Sequence, residues 1–315
     1  MKLDELRVGD NFTGFYLLRN IMMKTSKTGK PYMAASLADR TGAIDAKAWD
    51  YPGPISPADE GKVVKVQGVM QEFRGMPQIT MEKVRLAQPE EYDSILEDLV
   101  PSAPINRDEA YARVEALVDS MADTDFQAVC RAFLSRHGAE FRRYPAAKTV
   151  HHGFVGGLLM HTVDMLDLAD FLAGKYRGVV NRDLLLAGTL LHDMAKLKEF
   201  VVSQLGVVTE YSLSGQLLGH LVMGAEEVAE VCRTLAVPEE KSILLQHLLL
   251  SHHGQPEFGA AVVPQCAEAE LLAAIDNIDS RMEIYRENLE NTPEGQFSPR
   301  IFALERRIYH HTLKG

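Results

Sequence analysis

The chain has 315 residues, which is enough for two or three domains with full hydrophobic cores. Its 46% hydrophobic and 24% charged residues are ordinary for a soluble globular protein. The three cysteines, Cys130, Cys232 and Cys266, are scattered, which argues against a disulfide framework. No apolar run approaches the ~20 residues that a membrane span needs. We therefore expect a cytoplasmic protein with no membrane partner.

The net charge of -11 argues at first against a polyanionic partner. The charge is unevenly distributed, however, because residues 1–90 carry 13 basic and 11 acidic side chains, whereas the remaining residues carry 20 and 33. The first part is where a nucleic acid would be attracted, and the acidic part is where metal ions would neutralise charge. A solvated acidic helical surface would give the same count.

Residues 1–88 contain strand-like runs that are separated by turn signals. Polar and apolar residues alternate over 44–49 and 64–69, as expected for strands with one buried face. Five such strands fit a small closed barrel, and the stretch from Gly29 to Trp49 resembles the OB-fold of the anticodon-binding type. The sequence therefore predicts an all-β N-terminal OB-fold domain over residues 1–88.

The OB-fold resemblance implies single-strand binding, in which bases stack on aromatic rings and basic side chains follow the backbone. The candidate contact residues are Lys30, Tyr32, Lys47, Trp49, Phe73 and Arg74. Aromatic residues also fill barrel cores, and Trp49 ends an alternating strand on its apolar face. We therefore expect Trp49 to lie in the barrel core rather than on a stacking surface. The expected partner is single-stranded RNA, with single-stranded DNA left open.

Residues 89–104 are acidic and contain several prolines, which predicts a linker between domains. From residue 105 to residue 315 the pattern is helical, with short strands expected near Val201-Val202 and Val207-Val208. Asn106 is the predicted N-cap of the first helix. A last helix is predicted over residues 300–313, where one apolar side would pack on the domain or on another subunit. The expected fold class is multidomain, an all-β barrel followed by an all-α bundle.

An imidazole and a carboxylate stand side by side in His192-Asp193, directly after an apolar run that predicts a buried helix. A buried aspartate is costly unless it is paired or bound to a metal ion. Imidazole and carboxylate together suit first-row divalent metals, and no paired CxxC motif indicates a zinc finger. The candidate metal ligands are His161, His192, Asp193, His220, His252, His253 and Asp276.

This order of H, HD, H, HH and D resembles the HD-domain metal-dependent phosphohydrolases over residues 147–282. Within that superfamily, the stretches HHGFVGGLLMH, HDMAK, LLGH, SHHG and DNIDSRM after an OB domain resemble the YhaM-type 3′-to-5′ exoribonucleases over nearly the whole chain. The resemblance implies an α-helical HD domain over residues 105–315 that holds two divalent metal ions. Manganese is favoured, and iron, cobalt, nickel and zinc stay open.

The superfamily pattern also implies how the ligands divide between the two metal ions. His161, His192, Asp193 and Asp276 would hold one ion; His220, His252 and, as an open assignment, His253 would hold the second. Asp193 would bridge the two. The implied reaction is hydrolysis of single-stranded RNA from its 3′ end by a metal-activated hydroxide.

Four further residue types near these ligands suit phosphate chemistry. Lys196, one helical turn beyond His192, is predicted to stabilise charge on the phosphate, unless it is a surface lysine. His151 and His152 would protonate a leaving oxygen or bind phosphate, although such a pair is often structural. Asp279 and Arg281 would orient ligands or contact phosphate, with an intrahelical ion pair as the alternative.

Two other functions stay open at this point. An HD-type hydrolase of small nucleotides or cyclic dinucleotides is disfavoured, because no Gly-Tyr-Pro signature follows His252-His253 and a small ligand needs no strand-binding barrel. A non-catalytic single-strand nucleic-acid-binding protein is disfavoured because all seven candidate ligands are present. The choice between RNA and DNA depends on contacts to the 2′-hydroxyl, which no sequence pattern reveals.

Overall fold

The computed structural model describes residues 2–26, 28–73, 75–91, 95, 99, 102–147, 154–203, 206 and 208–313. The chain divides into two compact units, Met1–Pro101 and Ser102–Gly315. Among the helices within these ranges, none has the length and apolar character required to cross a lipid bilayer.

The first unit is a closed barrel of five strands in the order β1-β2-β3-β5-β4. The strands are β1 Asn11–Thr25, β2 Pro31–Asp39, β3 Gly42–Trp49, β4 Val63–Phe73 and β5 Met76–Leu86. The β3–β5 pair is parallel, and the other neighbouring pairs are antiparallel. The all-β barrel predicted from the alternating strands is thus confirmed.

The barrel core is filled by alternate residues of the strands. In β2, Met33, Ala35 and Leu37 are buried, because successive side chains of a strand point to opposite faces. Strand β1 has a bulge between Arg19 and Met22. The Glu60 carboxylate accepts hydrogen bonds from the backbone N–H groups of residues 20 and 21, at 2.7 and 3.1 Å, which satisfies the donors that the bulge frees.

The second unit is a helical bundle with two small two-stranded sheets. Its helices are α1 Arg107–Asp119, α2 Thr124–Phe141, α3 Gly157–Lys175, α4 Arg182–Leu191, α5 Lys196–Glu199, α6 Leu213–Leu217, α7 Gly219–Thr234, α8 Glu239–Ser251 and α9 Ala267–Glu290. One sheet pairs β6 Phe200–Val202 with β7 Val208–Tyr211, and the other pairs β8 Gln296–Phe297 with β9 Tyr309–His310. The first of these sheets lies where short strands were predicted.

Helix α4 forms the centre of the bundle. Every residue from Leu184 to Leu191 is buried, and Gly188 leaves space for Leu248 of α8, whose side chain lies 2.2 Å from where a Cβ would stand. The Asn181 side chain caps the start of α4 by accepting a hydrogen bond from the backbone N–H of Leu184. In the same way, Asn106 caps α1, as predicted. The buried α4 therefore carries the residues that follow it into the interior.

The prediction of a helix over residues 300–313 is wrong. That segment contains a short 3₁₀ turn at Phe302–Leu304 and strand β9, and an isolated bridge pairs Ile301 with Arg306. Ile301, Leu304 and Ile308 pack on Ile284 of α9. These apolar residues share one side of a hairpin, as they would share one side of a helix, so their spacing does not distinguish the two.

A buried carboxylate, Glu227 of α7, joins three elements of the bundle. Its oxygens lie 2.7 Å from His137 Nε2, 2.9 Å from an Arg136 nitrogen and 2.7 Å from Lys198 Nζ. Burial alone would raise the pKa of Glu227, but the hydrogen bonds from these three partners lower it to about 2. The ionised carboxylate is therefore the form that stabilises the fold.

Glu227→Gln is expected to lower the free energy of unfolding at pH 7 by about 1–3 kcal/mol, because it removes charge-assisted hydrogen bonds in the interior. The folded pKa lies below the unfolded value. The contribution of the carboxylate is therefore present above the unfolded pKa and is lost as the pH falls through the folded one.

Urea unfolding of the wild type and variant at pH 7 and at pH 2.5 measures this effect. The neighbouring exposed residue supplies the control, since Glu226→Gln should change neither curve. A stability difference between wild type and Glu227→Gln that is the same at both pH values would contradict the assignment.

Candidate metal centre and nucleic-acid interface

The structure brings all seven candidate metal ligands together in the second unit. His161 lies in the second turn of α3, His220 is the second residue of α7, and Asp276 lies in the middle of α9. His192-Asp193 follows the end of α4, and His252-His253 follows the end of α8. The ligand pairs therefore lie just beyond two helix ends, rather than within helices.

Asp193 lies between two groups of imidazoles. Its Oδ2 is 3.3 Å from His192 Nε2 and 3.7 Å from His161 Nε2. Its Oδ1 is 3.4 Å from His220 Nε2 and 3.8 Å from His252 Nε2. One carboxylate oxygen thus faces each group of histidines, which is the arrangement that a bridging ligand requires.

The remaining two candidates complete these groups. The donor atoms of His220, His252 and His253 lie within 4.8 Å of one another, as do those of His161, His192 and Asp193. Asp276 Oδ1 is 3.4 Å from His161 Nε2, so the aspartate of α9 faces the second of these clusters. Each cluster has the donor types and spacing that suit one divalent ion.

Backbone carbonyl groups orient two of the imidazoles. His192 Nδ1 donates to the Thr189 carbonyl oxygen at 2.8 Å, and His252 Nδ1 donates to that of Leu249 at 2.7 Å. In both cases the acceptor lies three residues earlier, in the last turn of the preceding helix. Because Nδ1 carries the proton, the Nε2 atom presents a lone pair to the pocket.

Carboxylates orient the other two well-buried imidazoles. Asp279 Oδ2 lies 2.6 Å from His161 Nδ1, so Asp279 orients the imidazole of a candidate metal ligand. His220 Nδ1 lies 3.1 Å from both carboxylate oxygens of Glu199, which also accepts from the backbone N–H of His220. Carboxylates that orient histidines in this way are typical partners of metal ligands.

Several buried polar atoms of this pocket have no hydrogen-bond partner among the residues that the structure describes. They are His192 Nε2, Asp193 Oδ1, His220 Nε2 and His253 Nδ1. A buried polar atom without a partner costs about 1–3 kcal/mol, so four of them in one pocket would be expensive without a ligand. The donor set is therefore one that divalent cations fit.

The pKa values of the buried groups favour ligand forms for most of the site. Burial, together with nearby imidazoles, lowers the pKa of His252 well below its usual value and lowers that of His253. Burial opposes ionisation of Asp193, but Lys196, His192 and His220 hold its pKa well below the usual range. Neutral imidazole and ionised carboxylate are the forms that bind metals.

His161 behaves differently. Burial would lower its pKa, but hydrogen bonds to Asp276 and Asp279 raise it to about 10. Without a bound cation, the positive charge of the imidazolium balances the negative charge of the carboxylates around it. A metal ion bound at this position would have to displace that proton.

Lys196 reaches the same carboxylate as the histidines, with Nζ 2.6 Å from Asp193 Oδ2. Helix α4 ends at Leu191 and α5 begins at Lys196, so a turn, rather than one continuous helix, brings this lysine back to the site. Arg281 lines the same pocket. His151 and His152 lie outside the described residues.

Sequence reasoning missed two residues of this site. Glu199 is buried behind His220, and nothing in the run Lys196–Glu199 separates it from a solvent-exposed glutamate. Phe258 lines the pocket with its side chain 73% exposed. The sequence signal that could have identified Phe258 is its position five residues after His253, in a turn bounded by Gly254 and Gly259.

In the first unit, Tyr32 and Trp49 are cross-strand partners whose ring centroids lie 4.7 Å apart. Trp49 is 50% exposed, so the expectation that it lies in the core is wrong. The neighbouring alanines of β3, Ala46 and Ala48, fill the core, and strand alternation therefore turns Lys47 and Trp49 outward.

Other candidates lie beside this aromatic pair. Lys47 Nζ is 4.8 Å from the ring centroid of Phe73, which is 50% exposed, and 5.4 Å from that of Trp49. Lys30 pairs with Asp50 and lines a pocket together with Tyr32 and Trp49. Arg74 lies outside the described residues. Exposed rings next to a lysine form a surface that suits stacked bases and phosphates.

Comparison with known proteins places this architecture in a family. The HD domain family model matches residues 158–281. The 3′-5′ exoribonuclease YhaM of Geobacillus sp. (strain WCH70) is 36% identical over 312 residues, covering 97% of this chain and 93% of its own. YhaM of Bacillus subtilis (strain 168) is 35% identical, covering 96% of this chain and 95% of its own. The chain belongs to the YhaM family.

The barrel unit also has a match among solved structures. The second OB-fold domain of replication protein A from Methanococcus maripaludis matches 28% of this chain and 94% of its own, at 17% identity and a TM-score of 0.24.

Glu199→Gln is expected to weaken divalent-metal binding by about 10- to 100-fold. The amide is neutral, and it puts an NH₂ group where one of the two carboxylate oxygens faces His220 Nδ1, so it holds the imidazole less firmly than the carboxylate does. The affinity is measured by titrating Mn²⁺ into metal-stripped protein and following the unfolding temperature, which rises as metal binds the folded state.

Glu210→Gln, at an exposed position of β7, is the matched control and should bind metal like the wild type. Equal affinities for the wild type and Glu199→Gln would show that Glu199 does not orient a ligand.

Proposed function

We propose that this chain is a metal-dependent exoribonuclease that shortens single-stranded RNA from its 3′ end. The observation that carries the proposal is Asp193, with one buried oxygen facing each cluster of candidate ligands. The relatives named 3′-5′ exoribonuclease, which align over nearly the whole chain, supply the substrate and the direction. The exposed aromatic surface of the barrel supports a single-stranded substrate.

In this proposal, Asp193 and two groups of residues hold two divalent ions. His161, His192 and Asp276 belong to the first ion, and His220, His252 and His253 to the second. We propose manganese, which the resemblance to the YhaM-type exoribonucleases favours; imidazole and carboxylate ligands together also accept iron, cobalt, nickel and zinc. Bound divalent ions would lower the pKa of water and neutralise charge on the phosphodiester.

The residues around the ligands would bind the phosphodiester and supply a proton to the leaving oxygen. Lys196 keeps Asp193 ionised and adds positive charge where the phosphate would lie, because its pKa is raised by Asp193 against the effect of burial. Arg281 lines the pocket and is proposed to bind the phosphodiester. His151 and His152 remain candidates for protonating the leaving oxygen.

The barrel would hold the strand. Tyr32, Trp49 and Phe73 offer ring faces to bases, and Lys47 offers a charge between two of these rings. Lys30 and Arg74 are proposed to follow the phosphate backbone. Stacking accepts every base, which suits an enzyme that must remove nucleotides one after another.

The direct test of catalysis is the Asp193→Asn variant. Metal-stripped protein restored with Mn²⁺ should convert 5′-labelled single-stranded RNA into a ladder that shortens from the 3′ end. Asp193→Asn should slow this by on the order of 10³-fold, because metal ions contribute several kcal/mol to such reactions. A DNA strand of the same sequence ranks the two substrates.

Asp167→Asn is the matched control, since Asp167 is an exposed aspartate of α3 that pairs with Arg113. Intact strands under every divalent metal, with hydrolysis of small phosphodiesters retained, would instead favour a nucleotide phosphohydrolase. Binding of the strand without any hydrolysis would favour a non-catalytic binding protein.

The test of the barrel surface is RNA binding by metal-stripped protein. Trp49→Ala is expected to weaken binding by about 5- to 150-fold, which is the loss of one stacked base, ~1–3 kcal/mol. Lys47→Ala should reduce the salt dependence of binding by about 0.7 in log–log slope. Fluorescence anisotropy of a labelled RNA at several salt concentrations measures both.

Lys65→Ala supplies the control, because Lys65 Nζ lies over Phe15, outside the surface formed by Tyr32, Lys47, Trp49 and Phe73. Loss of affinity with Lys65→Ala but not with Trp49→Ala would place the RNA on another face of the barrel.

A further inference from the structure

Phe258 is an exposed aromatic ring at the candidate metal centre. Its side chain is 73% exposed, although full burial of a phenylalanine would contribute about 1.5–3 kcal/mol. It lines a cavity of ≈ 410 Å³ together with Asp193, Lys196, His253 and Asp276. A large apolar side chain therefore lies in solvent beside a charged site, where it is accessible to a ligand that has an apolar face.

The backbone fixes Phe258 relative to the candidate ligands. It ends the 3₁₀ turn Pro256–Phe258, and its N–H donates to the Gln255 carbonyl at 3.0 Å. Gly259 follows with a φ of +100°, and a Cβ there would lie 3.3 Å from His253 Nδ1. The turn therefore packs directly against His253, and the backbone of Phe258 has a defined position beside the candidate metal centre.

The rest of the cavity offers a different chemistry. Lys196 and Arg281 are cationic, and Asn277 and Ser280 are polar. Cations beside the candidate metal ligands suit a phosphate, whereas the ring of Phe258 suits a flat apolar group. One nucleotide supplies both groups, joined by a sugar.

We propose that Phe258 is the stacking platform for the 3′-terminal nucleobase of the strand. The inference rests on the proposed function and adds a base subsite to it. Phenylalanine has no hydrogen-bonding group, so the platform accepts all four bases. Stacking holds the last nucleotide and thereby places the last phosphodiester at Asp193.

Phe302 is the rival for this role. Its side chain is 97% exposed in the turn Phe302–Leu304, and the next residue, Ala303, lines the cavity. Phe302 itself does not line the cavity within the described residues, which favours Phe258. The test therefore includes both phenylalanines.

The test compares RNA that ends in an ordinary nucleotide with the same RNA ending in an abasic one. Phe258→Ala should lower kcat/KM for the ordinary RNA by about 5- to 150-fold and for the abasic RNA by less than about twofold. Phe258→Trp should restore the rate, since a larger ring still stacks. Phe171→Ala, which removes a ring that is 70% exposed on α3, should change neither rate.

An equal loss on both RNAs would overturn the proposal, because the ring would then act without the base. Base dependence that disappears with Phe302→Ala, and not with Phe258→Ala, would overturn it as well.

A binding measurement separates this inference from the proposed function. Metal-stripped protein, which does not cleave, is mixed with RNA carrying 2-aminopurine at its 3′ end, whose fluorescence falls on stacking. Quenching by the wild type that is lost with Phe258→Ala supports the platform even if the wild type cleaves no RNA, an outcome in which only the proposed function fails. Binding of the RNA by the wild type without quenching would overturn the platform.

Discussion

The bundle depends on one buried charge, the carboxylate of Asp193, which is 3% exposed. A charge in a protein interior is costly unless other groups compensate it, and α4 carries this one to the centre of the bundle. Lys196 lies against one of its oxygens, and imidazoles from α3, the end of α8 and the start of α7 face both. The converging helices are therefore the means by which the interior tolerates this charge.

Helix ends supply much of the geometry around Asp193. The last turn of a helix leaves carbonyl oxygens without intrahelical partners. In α4 and α8 one such oxygen accepts a hydrogen bond from Nδ1 of His192 and of His252, respectively. One hydrogen bond thus satisfies a helix end and fixes which imidazole nitrogen faces the pocket. A ligand within a helix lacks this partner, and His161, in the second turn of α3, relies instead on Asp279, a carboxylate from α9.

The sequence predicted those parts of the molecule whose residue types are unusual for their setting. Histidines and aspartates in apolar runs pointed to the metal site, and alternation predicted the barrel. Glu199 escaped because a glutamate near a helix end is ordinary until the fold buries it. Trp49 was assigned to the core from its apolar character, yet the small Ala46 and Ala48 occupy the inward positions. The hairpin at residues 301–308 presents its apolar side chains at helix-like spacing.

The charge distribution links the two proposed activities, which are strand binding by the barrel and hydrolysis at the metal centre. The excess of acidic side chains after residue 90 opposes the approach of RNA. The small excess of basic side chains in residues 1–90 is too small to cancel that negative charge. The acidic residues Asp193, Asp276, Asp279 and Glu199 belong to that surplus, and they concentrate where the candidate ligands lie. Cations bound there would reverse the sign of the local charge. The same carboxylates would then hold the charges that act on a phosphodiester, so hydrolysis of RNA at this site depends on metal occupancy.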